Sequence, residues 1–156
     1  MNKQAKTQNL HKILVLNGPN LNLLGKRESN IYPKESLKDI EKNLKSIALE
    51  NDLEIEFKQS NAEHELVNEI QKALETNVKY ILINAAAYTH TSIAIRDALL
   101  AVEIPFIELH ISNIYKREEF RQKSLLADIS RGVIVGFGSN SYLIALGAAI
   151  LELVKK

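Results

Sequence analysis

The chain has 156 residues, of which 20 are Lys or Arg and 19 are Asp or Glu, for a formal net charge of +1. A chain of that length buries roughly 70% of its unfolded surface, so a single domain over residues 1–156 with one core is expected. Scattered charge leaves no basic face for nucleic acid. The absence of cysteine excludes disulfides and thiolate chemistry and fits a reducing, cytoplasmic setting, and the longest apolar run, residues 142–151, is too short to span a membrane.

Residues 1–11 lack the apolar stretch of a secretory signal and read as a short N-terminal arm. Ile13, Leu14, Val15 and Leu16 form an apolar run ending at Asn17-Gly18-Pro19, a buried strand. A loop of about fifteen residues follows, a length usually reserved for function, and it carries Arg27 and Tyr32. Between Ser36 and Asn51, Leu37, Ile40, Leu44, Ile47 and Ala48 recur at helical spacing. Leu53, Ile55 and Phe57 then alternate with charged residues, which predicts an edge strand. Ser60 and Glu63 have the spacing of a capping box, opening a helix striped by Leu66, Ile70, Ala73 and Leu74.

Residues 80–83 predict a third strand that stops at Asn84. A loop through His90 leads to Thr91 or Ser92 as the N-cap of a third helix ending near Val102. Pro105 precedes a fourth strand, residues 106–110, and residues 116–120 read as a short helix. Val133, Ile134 and Val135 form a fifth strand between glycines. The last helix, from Ser141 to about Val154, is apolar nearly all round and must be covered by the core or by another subunit. Strands alternating with helices imply an α/β fold with a five-stranded parallel sheet in flavodoxin-like order 2-1-3-4-5, helices on both faces, and ligands beyond the carboxyl ends of the strands. Asn17, Asn20, Asn84 and His110 stand at those ends.

Gly18 and Gly25 are too far apart for a phosphate loop, and GxGxxG is absent. A phospho-acceptor domain on this fold would want carboxylates where Asn17 and Asn84 stand. His11, His64, His90 and His110 are dispersed, with no metal-binding pair on one helix, so no metal is expected. What remains is uncharged hydrogen-bonding groups, cations and a tyrosine, suited to holding a hydroxylated anion and moving protons. Arg27 and Tyr32 admit two readings: a loop tyrosine packing its ring beside a solvated arginine, or a phenolate base held by a cation. One unit charge at about 4 Å in an effective dielectric near 20 is worth roughly 4 kcal/mol, enough to lower a phenol's pKa by about three units, toward neutral pH. Glu108 and His110 flank Leu109 on one strand and point to the same side, which suits an oriented general acid. Arg117 and Arg121, four apart, would share one face of the short helix, unless they pair with Glu118 at the surface. Asp97 beside Arg96 reads as a surface ion pair.

Taken together, NGPNLNLLGKRESNIY at 17–32, NAAAYTHTSIAIRDAL at 84–99 and ELHISNIYKREEFR at 108–121 resemble the type II 3-dehydroquinate dehydratases over nearly the whole chain. The resemblance implies a hydro-lyase of the shikimate pathway that takes 3-dehydroquinate to 3-dehydroshikimate and water by anti elimination through an enolate, without cofactor. It implies Tyr32 as proton acceptor, Arg27 as stabiliser of the transition state and His110 as proton donor. It implies substrate contacts from Asn84, His90, Ile111, Ser112 and Arg121, with Asp97 reaching a neighbouring subunit's site. Asn20, Glu108 and Arg117 match supporting positions. A dodecamer built from trimers is implied as well. Three departures stand out: Pro33 after Tyr32 where glycine is common, Ala85-Ala86 where Pro-Gly is frequent, and Ala62-Glu63-His64-Glu65 in place of His-Glu-Gly-Glu.

Overall fold

The computed structural model of the chain describes residues 9–26 and 34–154. Most of the proposed N-terminal arm, together with Arg27, Tyr32 and Pro33, lies outside the described residues. Five strands form one parallel sheet in the order β2-β1-β3-β4-β5: β1 is His11–Asn17, β2 Leu53–Gln59, β3 Val78–Asn84, β4 Phe106–His110 and β5 Gly132–Val135. The order is the one predicted, with half-polar β2 at an edge. Position 11 opens β1 and so belongs to the sheet rather than to an arm.

Among the described residues four α-helices cover the sheet: α1 (Leu37–Glu50), α2 (Glu63–Lys72), α3 (Ile93–Val102) and α4 (Asn140–Val154). Strand alternation divides the apolar residues between two layers. Ile13 and Val15 pack with Leu44 of α1 and Leu146 of α4, whereas Leu14 and Leu16 pack with Ile70 of α2 and Ile95 of α3. The single core expected from chain length is therefore two, one on each face of the sheet. No helix among the described residues is long and apolar enough to cross a membrane.

Two helix starts differ in kind. Ser36 caps α1 in a complete box, accepting from the Asp39 N–H while the Asp39 carboxylate accepts from the Ser36 N–H. The box predicted at Ser60 and Glu63 does not form. Ser60 Oγ instead accepts from the Ala62 N–H and meets the Glu65 carboxylate, and α2 begins at Glu63 behind Ala62, whose side chain has no cap to offer. Residues 116–120 are likewise not one helix. Two 3₁₀ turns, Ile114–Lys116 and Glu119–Arg121, are separated by an extended Arg117 at φ −106°, ψ −166°. Arg117 and Arg121 therefore do not share a helix face.

Candidate functional site

At the carboxyl ends of β1 and β3 the chain turns sharply and the two strand ends touch. The Gly18 N–H donates to the Asn84 carbonyl at 2.8 Å, and a Cβ on Gly18 would lie 2.3 Å from the Ala85 carbonyl oxygen. This contact, rather than a phosphate, is what the glycine serves. Asn20 follows in the left-handed region at φ 69°, where its N–H donates to Asn61 Oδ1. Gln59 donates from Nε2 to both the Gly18 carbonyl and Asn61 Oδ1, so the end of β2 clamps the turn after β1.

The side chains of Asn17 and Asn84 are bridged by a residue from the far end of the sequence. The Asn84 amide donates to the Tyr142 hydroxyl at 3.0 Å, and that hydroxyl donates to Asn17 Oδ1 at 2.6 Å. All three side chains are buried. Burial pushes the Tyr142 phenol above the ordinary tyrosine range, with the Asn84 hydrogen bond opposing it, so it stays protonated and keeps its donor. Asn84 Oδ1 accepts from the Ala86 N–H at 3.3 Å. Ala86 itself has φ 51°, the left-handed conformation that favours glycine, at one of the two positions where Pro-Gly would be more usual.

On β4, Glu108 and His110 do lie on one side of the strand: His110 Nε2 is 3.2 Å from Glu108 Oε1. The carboxylate is fully buried, and its Oε2 has no hydrogen-bond partner among the described residues. The His90 ring stacks toward His110 with centroids 6.3 Å apart, and its Nδ1 lies 2.8 Å from the Lys123 carbonyl oxygen. Arg121 Nε donates to Glu118 at 2.7 Å while its guanidinium lies 5.2 Å from the Phe120 ring centre; Arg117 approaches the same carboxylate at 3.9 Å. Glu118 is held below the usual carboxylate range, its own backbone hydrogen bond being the largest cause and the Arg121 hydrogen bond the next.

These groups enclose one cleft. Its wall includes Asn20, Asn84, His90, His110, Ile111, Ser112, Arg117 and Arg121, so eight of the residues singled out in the sequence converge. Glu108 sits behind it, against His110. The described wall contains two arginines and no carboxylate, which favours an anionic ligand. Asp97 does not join them. It is exposed on α3, and its neighbour Arg96 is bound instead to Asp128, at 2.5 and 3.0 Å, and to the Leu125 carbonyl. Arg27 and Tyr32 lie outside the described residues. Tyr142, Gln59, Asn61 and Ser124, which contacts Glu108, carry no signal in the sequence because their partners are remote.

A doubly wound sheet whose switch-point cleft presents amides, imidazoles and guanidinium groups defines a flavodoxin-like α/β protein with a cleft suited to a small, hydroxylated anion. The sequence model described as Dehydroquinase class II matches residues 11–150. The 3-dehydroquinate dehydratase of Idiomarina loihiensis is 59% identical over 142 residues, covering 91% of this chain and 93% of that protein. Among solved structures, the type II dehydroquinase of Butyrivibrio crossotus superposes with a TM-score of 0.86 at 42% identity, covering 94% of this chain and 99% of that one. That of Propionibacterium acnes gives 0.85 at 40% identity, covering 90% and 96%. The chain belongs to the class II dehydroquinase family.

Proposed function

We propose that residues 1–156 form one catalytic domain that removes water from 3-dehydroquinate to give 3-dehydroshikimate by anti elimination through an enolate. The dehydration is the reaction of the 3-dehydroquinate dehydratase family in the shikimate pathway, and the chain is a lyase of that family. Tyr32, as phenolate, takes the proton beside the ketone, with the Arg27 guanidinium stabilising both the phenolate and the developing enolate. The electron pair of the broken C–H bond passes to the carbonyl oxygen and returns to form the C=C bond. As the C–O bond breaks, His110 gives its proton to the departing hydroxyl, which leaves as water. Return of the proton from Tyr32 to His110 through solvent restores the site.

The observation that carries this reading is His110, almost wholly buried and 3.2 Å from the Glu108 carboxylate, facing a cleft with two arginines. A carboxylate at that distance orients the imidazole, so that its other nitrogen can serve the cleft. Asn84, His90 and Arg121 bind the substrate, and Ile111 and Ser112 hold its carboxylate, largely through backbone N–H groups. Asn20 and Arg117 support the base and acid. Asp97 is contributed by a neighbouring subunit within a dodecamer of trimers in the cytoplasm, and no cofactor takes part.

Purified protein given 3-dehydroquinate should generate the ultraviolet absorbance of a conjugated enone. No rise would overturn the activity. Tyr32→Phe should keep the fold and lose about 10²- to 10⁴-fold in kcat, the usual weight of a general base. Near-normal turnover in that variant would remove Tyr32 from the role.

A further inference from the structure

Segment 123–127 follows Arg121 and runs behind both cleft histidines. Its Lys123 carbonyl meets His90, and its Ser124 hydroxyl lies 2.5 Å from Glu108 Oε1, the same oxygen that meets His110. Ser124 Oγ also accepts from the Leu126 and Ala127 N–H groups, each at 3.0 Å. A serine hydroxyl has two lone pairs and one proton. With both lone pairs facing N–H donors, the proton is left pointing at Glu108. That carboxylate is fully buried, and Oε2 has no partner among the described residues, so both hydrogen bonds seen at this group converge on Oε1. Where Oε1 sits decides which way the His110 ring turns.

We propose that Ser124 is a positioning residue for the dehydration: by donating to Glu108 it fixes the carboxylate that orients His110, leaving the other ring nitrogen toward the cleft. Its kinetic consequence rests on the reading of His110 as the acid; its effect on the ring does not. Among the described residues, the other charged or titratable groups around His110 are His90, stacked on it, and Arg117 and Arg121 on the cleft wall. Replacing Ser124 removes none of them.

The test compares Ser124→Ala with Ser124→Thr, each in the native and the Glu108→Gln backgrounds, with Ser124→Cys in reserve should the alanine variant not fold. Alanine should lower kcat by about tenfold or more, the weight of a hydrogen bond to a charged group, and leave KM within about twofold. Threonine, which keeps the hydroxyl, should restore most of the loss. In the Glu108→Gln background, alanine should add little. Independently, the His110 ring N–H that faces Glu108 should give a slowly exchanging proton signal in ¹⁵N-histidine spectra, kept by threonine and lost with alanine. An unaltered ring signal in Ser124→Ala, or an equal drop in kcat with Glu108→Gln, would overturn the proposal. Loss of the ring signal with undiminished kcat would uphold the positioning and tell against His110 as the acid, so the two failures are distinguishable.

Discussion

A single hydroxyl holds the ends of two central strands in register with the last helix. Tyr142 accepts from Asn84 and donates to Asn17, partners 58 and 125 residues away in sequence, and all three groups are out of water. Tyr142→Phe keeps the ring but leaves two buried amide atoms without a partner, at about 1–3 kcal/mol each. Urea unfolding should register a loss of about 2–6 kcal/mol for the two together, and KM should rise more than kcat falls, because Asn84 would no longer be held for substrate. Native-like stability would refute the network's importance. The sign with pH follows from burial: the folded phenol titrates above its unfolded value, so its contribution is complete below pH about 10 and is lost as pH rises beyond that. The phenylalanine variant should lack that part of the alkaline destabilisation. Glu108 and His110 were legible in sequence because a strand places residues two apart on one side. Tyr142 and Ser124 were not, since only the fold brings their partners to them.

At the scale of elements, apolar periodicity identified five strands and the main helices, because burial on two sheet faces leaves a pattern in the chain. Short polar segments were harder. The Ser60 and Glu63 spacing is common to capping boxes and to tight turns, and here the serine serves the turn. The spacing of the two arginines after β4 predicts one helix, whereas an extended Arg117 divides two 3₁₀ turns; both residues still line the cleft by this other route. Gly18 gave no phosphate motif, and its role became visible only in the 2.3 Å between a would-be Cβ and the Ala85 carbonyl. That contact is backbone, which cannot swing aside. Gly18→Ala should therefore force the β1 and β3 ends apart, cost about 1–3 kcal/mol as an overpacked site, and cut turnover by displacing Asn84 and the Asn20 turn together. Unchanged melting temperature and activity would mean that the strand ends adjust freely.

For the whole molecule, the open question raised by the sequence was what covers an all-apolar last helix. One side of α4 is answered: Tyr142, Ala145, Leu146 and Ala149 are buried against the sheet and α1. Ile144, Leu151 and Val154, spaced as one helical stripe, remain exposed at 43%, 63% and 68%, beyond an exposed Phe137. Exposed apolar surface of this kind usually marks association. Asp97, absent from the cleft of its own chain, calls for the same thing if it is to meet substrate. Subunit mixing tests both. His110→Asn and Asp97→Asn should each be poorly active, yet chains of the two variants assembled together should regain activity well above either parent. In such mixtures some clefts combine an intact His110 with an intact Asp97 from the adjoining chain. Should Asp97 act within its own chain, no mixed cleft is complete and the mixture would give only the average of the parents. Ile144→Asp should lower the assembled mass in sedimentation and abolish the recovery, whereas unchanged mass would show that this stripe does not join subunits.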